Sequence, residues 1–356
     1  MLIVWSYIIY KFILAIAVFG IGLGVAAYAT WGERKFSAVL QDRIGPNRAG
    51  PFGLLQPLAD GVKMFMKEEI IPNVSNKFLF ILGPSLAMMT ACLTGVVIPW
   101  GKDVVTAGGT TYSMQVTDIN IGILYLFGVV SIGVYGIMIG GWASNNKYSL
   151  LGAIRASSQM ISYEIAMGLS VIALVMTTGT LSAREIVAQQ DAGWCNFVYQ
   201  PLGFLIFFIC ALAETNRAPF DLPECETELV GGYHTEYSSM KLGFYLFAEY
   251  INMFVSSAVM AGFYFGGYNF PFAKEFYDAC GIAEGSWLMS LIGFGAYFTK
   301  VIGFILLFMW IRWTLPRFRY DQLMDLGWKK LIPLSILNVV VTGIIMGWKD
   351  LVALFN

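Results

Sequence analysis

Apolar runs of about 20 residues recur along this chain, divided by shorter polar stretches. A helix rises about 1.5 Å per residue, so a run of that length crosses a hydrocarbon core of roughly 30 Å. The pattern predicts spans near residues 5–30, 78–99, 119–141, 158–178, 197–213, 242–266, 287–311 and 332–352. Between the first two lies Gly53–Glu68, whose apolar residues also recur at helical spacing. It is too short and too charged to span, and is expected to be an amphipathic helix at the membrane surface. The expected fold is all-α: a polytopic membrane helix bundle of about eight transmembrane helices with long inner loops, one membrane domain over residues 1–356.

Composition agrees with that pattern. Hydrophobic residues make up 57% of the chain and charged residues only 13%, and the mean hydropathy is +0.67. The first apolar run lacks a basic leader and is too long for a secretory signal, so it is read as the first span. The loops at 31–77, 142–157, 214–241 and 312–331 carry sixteen of the 22 Lys and Arg residues, and the opposite loops carry three, or four with Lys349 near the C-terminus. By the positive-inside rule the first set faces the cytoplasm and both termini lie outside. Two GxxxG pairs, Gly20/Gly24 and Gly136/Gly140, would let helix backbones approach closely, and tight bundle packing accounts for them. No internal repeat of the kind many carriers show is evident.

Redox chemistry within the chain is not expected. The five cysteines show no CxxC spacing, and the single histidine, His234, cannot supply bis-histidine haem ligation. Neither a GxxxxGK[ST] nor a GxGxxG pattern is present. If the protein serves redox chemistry, the electron carriers sit on other subunits.

The candidate chemistry is acidic. Seven of the 23 Asp and Glu residues fall between Glu214 and Glu249, namely Glu214, Asp221, Glu224, Glu226, Glu228, Glu236 and Glu249. Asp221-Leu-Pro-Glu224 fits a helix start, with Asp221 as N-cap and Pro223 in the first turn. That leaves Glu226, Glu228 and Glu236 unexplained. On a helix Glu224 and Glu228 stand one turn apart and repel, and confinement near lipid raises carboxyl pKa values toward neutrality, as proton exchange requires. Glu164 lies nine residues beyond Arg155, about 14 Å into the fourth span. Glu249 lies eight residues past Lys241, about 12 Å along the sixth, and shares a helical face with Tyr245, Asn252 and Ser256. Lys300 is twelve residues before Arg312, about 18 Å away and near mid-depth. Ionisable groups at membrane depth mark proton or substrate routes; the plainer account is a structural ion pair of Lys300 with one glutamate.

Basic residues form a second group: Glu33-Arg34-Lys35 at the inner end of span one, Arg43-Ile-Gly-Pro-Asn47-Arg48 after it, and Arg312 with Pro316-Arg317-Phe-Arg319-Tyr320-Asp321 closing span seven. Many such residues set topology or touch lipid head groups. Arg-x-Gly-Pro-Asn is a rigid turn, however, and its arginines could orient a polar head group whose tail is held by apolar helices.

At these residues the chain resembles a known family. Glu33-Arg34-Lys35, Arg43-Ile-Gly-Pro-Asn47-Arg48-Ala-Gly50-Pro, Gly53-Leu-Leu-Gln56-Pro57-Leu-Ala-Asp60, Ala213-Glu-Thr-Asn-Arg217-Ala-Pro-Phe-Asp221-Leu-Pro-Glu224 and Pro316-Arg-Phe-Arg-Tyr-Asp-Gln-Leu-Met324 match the quinone-site membrane subunit of respiratory complex I, the proton-pumping NADH:quinone oxidoreductase. The resemblance runs from about residue 30 to 330. It implies an eight-span bundle, sometimes with a ninth helix, at the foot of the peripheral arm. It implies a quinone cavity that includes Glu33, Arg34, Asp60, Arg217, Asp221 and Arg312, and a proton path through Glu164, Glu214, Glu224, Glu226, Glu228 and Glu249. Ubiquinone or menaquinone would be the substrate, and the chain would bind no cofactor of its own. Partners would be the iron–sulfur subunits of the peripheral arm, small membrane subunits, antiporter-like subunits and lipid, with no nucleic acid. Cys225 and Thr227 depart from many bacterial relatives without removing a carboxylate, and Gly231-Gly-Tyr-His234-Thr-Glu236-Tyr resembles bacterial more than mitochondrial members. A bacterial cytoplasmic membrane is therefore expected over the mitochondrial inner membrane. Three alternatives stand beside this reading: the same subunit in a ferredoxin- or deazaflavin-fed relative, a stand-alone ion carrier, and an anchor that only docks peripheral subunits.

Overall fold

The computed structural model describes residues 2–106, 109, 111–191, 195–221 and 231–355, with side chains from Trp5 to Trp348 within those ranges. The chain opens with α1, Leu2–Leu40, whose 39 residues rise about 58 Å. It therefore runs well past the predicted span and carries Glu33, Arg34 and Lys35 in unbroken helix. The Arg-x-Gly-Pro-Asn turn folds back on Gly53, which has φ +78° and where a Cβ would lie 2.2 Å from the Pro46 carbonyl oxygen. Only glycine fits there. The amphipathic helix follows as α2, Gln56–Met66. Its partly buried edge is Gln56, Asp60 and Met64, while Leu58, Val62, Phe65 and Met66 are exposed.

The remaining helices are α3 (Lys77–Thr94), α4 (Gly122–Ala143), α5 (Lys147–Thr178), α6 (Ala183–Gln189), α7 (Asn196–Tyr199), α8 (Pro201–Glu214), α9 (Ser239–Phe265), α10 (Ala273–Ala279), α11 (Trp287–Thr314), α12 (Tyr320–Asp325) and α13 (Ile332–Phe355). The only strands among the described residues are two-residue partners, Val104–Val105 against Thr111–Tyr112. Seven helices are long and apolar enough to cross a membrane, and α8 is apolar but shorter. The expected all-α membrane bundle is thus observed, with a helix at each of the eight predicted spans.

Boundaries differ for local reasons. The fourth predicted span begins eleven residues early, at Lys147, because Asn146 caps the helix by accepting from the Tyr148 N–H at 2.9 Å. The fifth is divided at Gln200, since the residue before a proline resists the helical region and Pro201 takes the first position of α8. The last begins upstream of its predicted start, because a π-helical turn over Leu326–Leu331 joins α12 to α13.

Helix α9 is the centre: 72% of its apolar stretch is buried, against 17% for α1. Helices α3 and α4 pack at glycines. A Cβ on Gly136 would lie 2.9 Å from the Ala87 nitrogen, and one on Gly140 would lie 1.9 Å from the Tyr245 hydroxyl. Close packing therefore accounts for the second GxxxG pair. Among the described residues Gly20 and Gly24 meet nothing within 4 Å, so that pair closes no helix contact there.

The loops sort into two ends, as the basic-residue count divides them. At one end Ser239 Oγ donates to the Met64 carbonyl at 3.0 Å, Asn146 Nδ2 to Glu236 at 2.7 Å, and the Phe318 N–H to the Pro219 carbonyl at 3.1 Å. At the other end Lys102 pairs with Asp191 at 3.2 Å, Ser290 Oγ donates to the Lys102 carbonyl at 2.7 Å, and the Val105 N–H to the Gly285 carbonyl at 2.9 Å.

Candidate functional site

At the basic end, α1 brings Glu33 into the bundle with only 5% of its surface exposed. A carboxylate so placed needs charge and hydrogen bonds. Arg217, from the turn after α8, reaches Oε2 at 3.2 Å, and Arg312, from the last turn of α11, reaches Oε1 at 2.5 Å. Tyr250 of α9 donates its hydroxyl to Oε2 at 2.8 Å, and the Arg217 guanidinium lies 3.9 Å from the centre of the same ring. Two arginines thus face one glutamate. Burial opposes the charge on Arg217, but Tyr250, Glu33 and Glu249 outweigh it and hold its pKa above the ordinary arginine value.

Arg34 points elsewhere, since successive helical residues diverge by about 100°. It pairs with Asp60 of α2 at 2.8 Å, in a half-exposed setting, and Gln56 Nε2 donates to Asp60 at 3.1 Å. Asp221 is buried, and its Oδ2 takes Arg317 at 3.1 Å. The six residues predicted for the head-group site therefore form a buried Glu33–Arg217–Arg312 cluster, a surface Arg34–Asp60 pair, and Asp221 anchored to Arg317.

The acids gather along the other side of the turn. Glu214 closes α8, and Glu249 sits in the middle of α9. Both line a cavity of about 30 Å³ between α3, α4, α5 and α9, with Thr90, Met160, Asn216, Tyr233, Tyr245 and Asn252 on its walls. The four residues predicted to share a face lie on the unbroken helix α9, and three of them, Tyr245, Glu249 and Asn252, line the cavity, while Ser256 does not. Tyr233 donates to Glu249 at 3.2 Å. Glu164, on α5, takes a short hydrogen bond from Ser131 of α4 and lies within electrostatic reach of Glu214. Glu224, Glu226 and Glu228, and the helix start expected at Asp221, lie outside the described residues.

The structure corrects one expectation. Among the described residues Lys300 pairs with no glutamate: its ammonium donates to the carbonyls of Phe265 at 2.7 Å and Gly267 at 2.8 Å, and to that of Asn269. These lie at and just after the C-terminus of α9, toward the weakly basic end. The helix leaves terminal carbonyls without intrahelical partners, and a cation is favoured there. Lys300 therefore ties that end and adds nothing to the acidic group.

Arg217 joins the two groups. It contacts Glu33 on one side and lies within electrostatic reach of Glu249 on the other. Glu249 shares its cavity with Glu214, and Glu214 lies within electrostatic reach of Glu164. Sequence reasoning missed Tyr250, Ser131, Asn216 and Gln159. Gln159 is fully buried and donates to the carbonyls of Ala213 at 2.7 Å and Phe220 at 2.9 Å, holding the turn that presents Glu214 and Arg217. A polar residue within an apolar run was the available signal for Gln159; Tyr250 gives none, because tyrosine is common in such runs.

Comparison with known proteins agrees with this arrangement. The NADH dehydrogenase family profile matches residues 12–343. The chain is 69% identical over 338 residues to an NADH-quinone oxidoreductase subunit of Cytophaga hutchinsonii, covering 95% of this chain and 97% of that one. It is 62% identical over 339 residues to the NADH-quinone oxidoreductase subunit of the same type in Flavobacterium psychrophilum, with coverage of 95% and 97%. It is 47% identical over 323 residues to NADH-quinone oxidoreductase subunit 8 of Rhodothermus marinus, with coverage of 90% and 92%. With the helix bundle and the charged clusters described above, these matches over nearly the whole length establish that the chain belongs to the NADH dehydrogenase family of membrane subunits.

Proposed function

We propose that this chain is the membrane subunit of a proton-pumping NADH:quinone oxidoreductase, that it forms part of the quinone cavity, and that its acids couple quinone reduction to proton movement. The observation that carries the reading is the position of Arg217: it is ion-paired with Glu33 in the cation-rich cluster and lies within electrostatic reach of Glu249, which lines the acidic cavity with Glu214. On this reading Glu33, Arg34, Asp60, Arg217, Asp221 and Arg312 serve the head-group side. Glu164, Glu214 and Glu249, with Glu224, Glu226 and Glu228, carry protons. A change of charge beside Glu33 shifts the balance on Arg217, and through it the proton affinity of Glu249.

The quinone, ubiquinone or menaquinone, is the substrate. Electrons reach it from iron–sulfur subunits of the peripheral arm, and small membrane and antiporter-like subunits complete the complex with lipid around it. The basic loops face the cytoplasm of a bacterium, with both termini on the outer side. The test is the assembled complex in inverted membrane vesicles, assayed for NADH oxidation with quinone, for NADH oxidation with a soluble artificial acceptor, and for proton uptake. Changes at Arg312 should depress only the first and third. Loss of the soluble-acceptor activity per assembled complex would refute the assignment, as would proton transport by the purified chain alone in liposomes.

A further inference from the structure

The cavity between α3, α4, α5 and α9 has a polar wall that the acids do not account for. Its volume is about 30 Å³, and a water needs about 10–15 Å³, so it has room for two or three waters at most. Asn216 lines it. That residue is 2% exposed, and its Oδ1 is buried without a hydrogen-bond partner among the described residues. Its Nδ2 rests 3.9 Å from the sulfur of Met160, which also lines the cavity. The backbone at Asn216 is left-handed, φ +50°, a conformation asparagine tolerates better than most residues. A buried amide oxygen is costly to leave unmatched, and a bound water needs two to four polar partners. Glu214 and Glu249 complete the set.

We propose that Asn216 holds one water between Glu214 and Glu249, and that the proton crosses between the two carboxyls through it. The proposal deepens the proton-path reading above and rests on it. The water donates one O–H to Asn216 Oδ1, which fixes its orientation. Its oxygen accepts the O–H of whichever carboxyl is protonated, and its remaining O–H points at the other carboxylate. When the proton moves, one O–H bond breaks at the first carboxyl and one forms at the water. One then breaks at the water and one forms at the second carboxyl. The water is regenerated, charge is conserved and no co-reactant is consumed. Asn216 is a positioning residue in this step.

The experiment is electron cryomicroscopy of the whole complex at a resolution that shows waters, in sodium buffer and in choline buffer, with turnover and proton pumping measured in parallel. The variants are Asn216→Leu, which removes the amide, and Ala248→Val, which fills the cavity from α9 without touching a polar group. The expected result is a density within hydrogen-bond reach of Asn216 Oδ1 and both carboxyls in either buffer, absent from both variants. Per assembled complex, both variants should lose turnover on the order of tenfold, as displacement of a transfer group does, and show a raised solvent deuterium isotope effect. A merely structural defect lowers the amount of complex and leaves that isotope effect unchanged. A cavity without density in the wild type overturns the proposal, as does density only in sodium, which would make it a cation site. So does wild-type turnover in both variants. The wild-type map decides even if a variant fails to assemble. Glu214→Gln and Glu249→Gln, assayed alongside, separate the two readings. If they stop pumping while the cavity variants pump normally, the water fails and the path stands; if they pump normally, the path itself fails.

Discussion

Glu33→Gln is the most severe single change this site offers. It keeps the shape of the side chain and removes one charge, leaving Arg217 and Arg312 beside a neutral amide. At 3.2 Å the Arg217 interaction amounts to about 5 kcal/mol before desolvation, taking an effective dielectric constant near 20. The Arg312 contact is shorter, 2.5 Å, but that arginine is 23% exposed, and solvent screening reduces its share. Removing one partner of a buried pair costs about 3–5 kcal/mol, because the stranded charge stays desolvated. Arg217, itself only 5% exposed, cannot easily turn to water. The remaining acid that acts on it electrostatically is Glu249. We expect NADH:quinone turnover in inverted vesicles to fall by about tenfold, the loss that about 1.4 kcal/mol of transition-state stabilisation produces. NADH oxidation by a soluble acceptor should persist per assembled complex. Native-gel yield and thermal inactivation of the purified complex report the stability loss. In Glu33→Gln/Arg217→Met, which removes the stranded charge, yield should recover while quinone activity does not. Wild-type turnover and quinone KM in fully assembled Glu33→Gln would refute the reasoning.

Other perturbations separate the remaining parts. Arg34→Ala should cost less than about 1 kcal/mol in stability, because its pair with Asp60 is half-exposed, whereas Arg312→Ala should cost more and depress quinone turnover; thermal inactivation and quinone kinetics of both rank them. Glu164→Gln and Glu249→Gln should lower proton pumping and turnover together while the subunits stay associated, measured as the gradient and NADH:quinone rate in proteoliposomes. Lys300→Met, which strips a donor from three carbonyls, should lower stability by about 1–3 kcal/mol in thermal inactivation and leave the quinone KM unchanged. Gly140→Ala places a methyl against the Tyr245 hydroxyl and should cost about 1–3 kcal/mol in assembled complex, partly recovered in Gly140→Ala/Tyr245→Phe.

The positions of the apolar helices, seven of them long enough to cross a membrane, and the partition of loops were legible in the sequence because both follow from summed quantities, hydropathy and charge, that tolerate local error. So was the concentration of acids after Glu214. What was not legible is which charge meets which. Periodicity placed Lys300 at mid-depth and suggested a glutamate partner, yet the partners are main-chain carbonyls at and just after the end of α9, and backbone groups leave no trace in composition. Glu33 and Arg34 read as one basic–acidic flank; the turn of the helix sends the first into the bundle and the second to α2. The pairing of Arg217 with Glu33 spans 184 positions, and only the three-dimensional crossing of α1 with the turn after α8 reveals it. Asn216 stood in a quoted motif without a role because its importance lies in an unmatched oxygen, which is a property of packing.

Helix α8 stops after 14 residues, about 21 Å, short of a hydrocarbon core of roughly 30 Å. A continuous helix would scatter the next eight residues around every face and over about 12 Å. The turn instead lets Glu214 and Asn216 line the acidic cavity while Arg217 reaches Glu33 and Asp221 reaches Arg317, with Gln159 supplying the donors that irregular backbone needs where water is scarce. A further consequence concerns the bilayer itself. Hydrophobic mismatch acts on helices that face lipid and is relieved by tilt. The C-terminal end of α8 is enclosed by protein, so a thicker or thinner membrane should tilt the more exposed α1 and α13 first. The depth of the acidic cavity is then expected to follow the protein scaffold rather than the lipid.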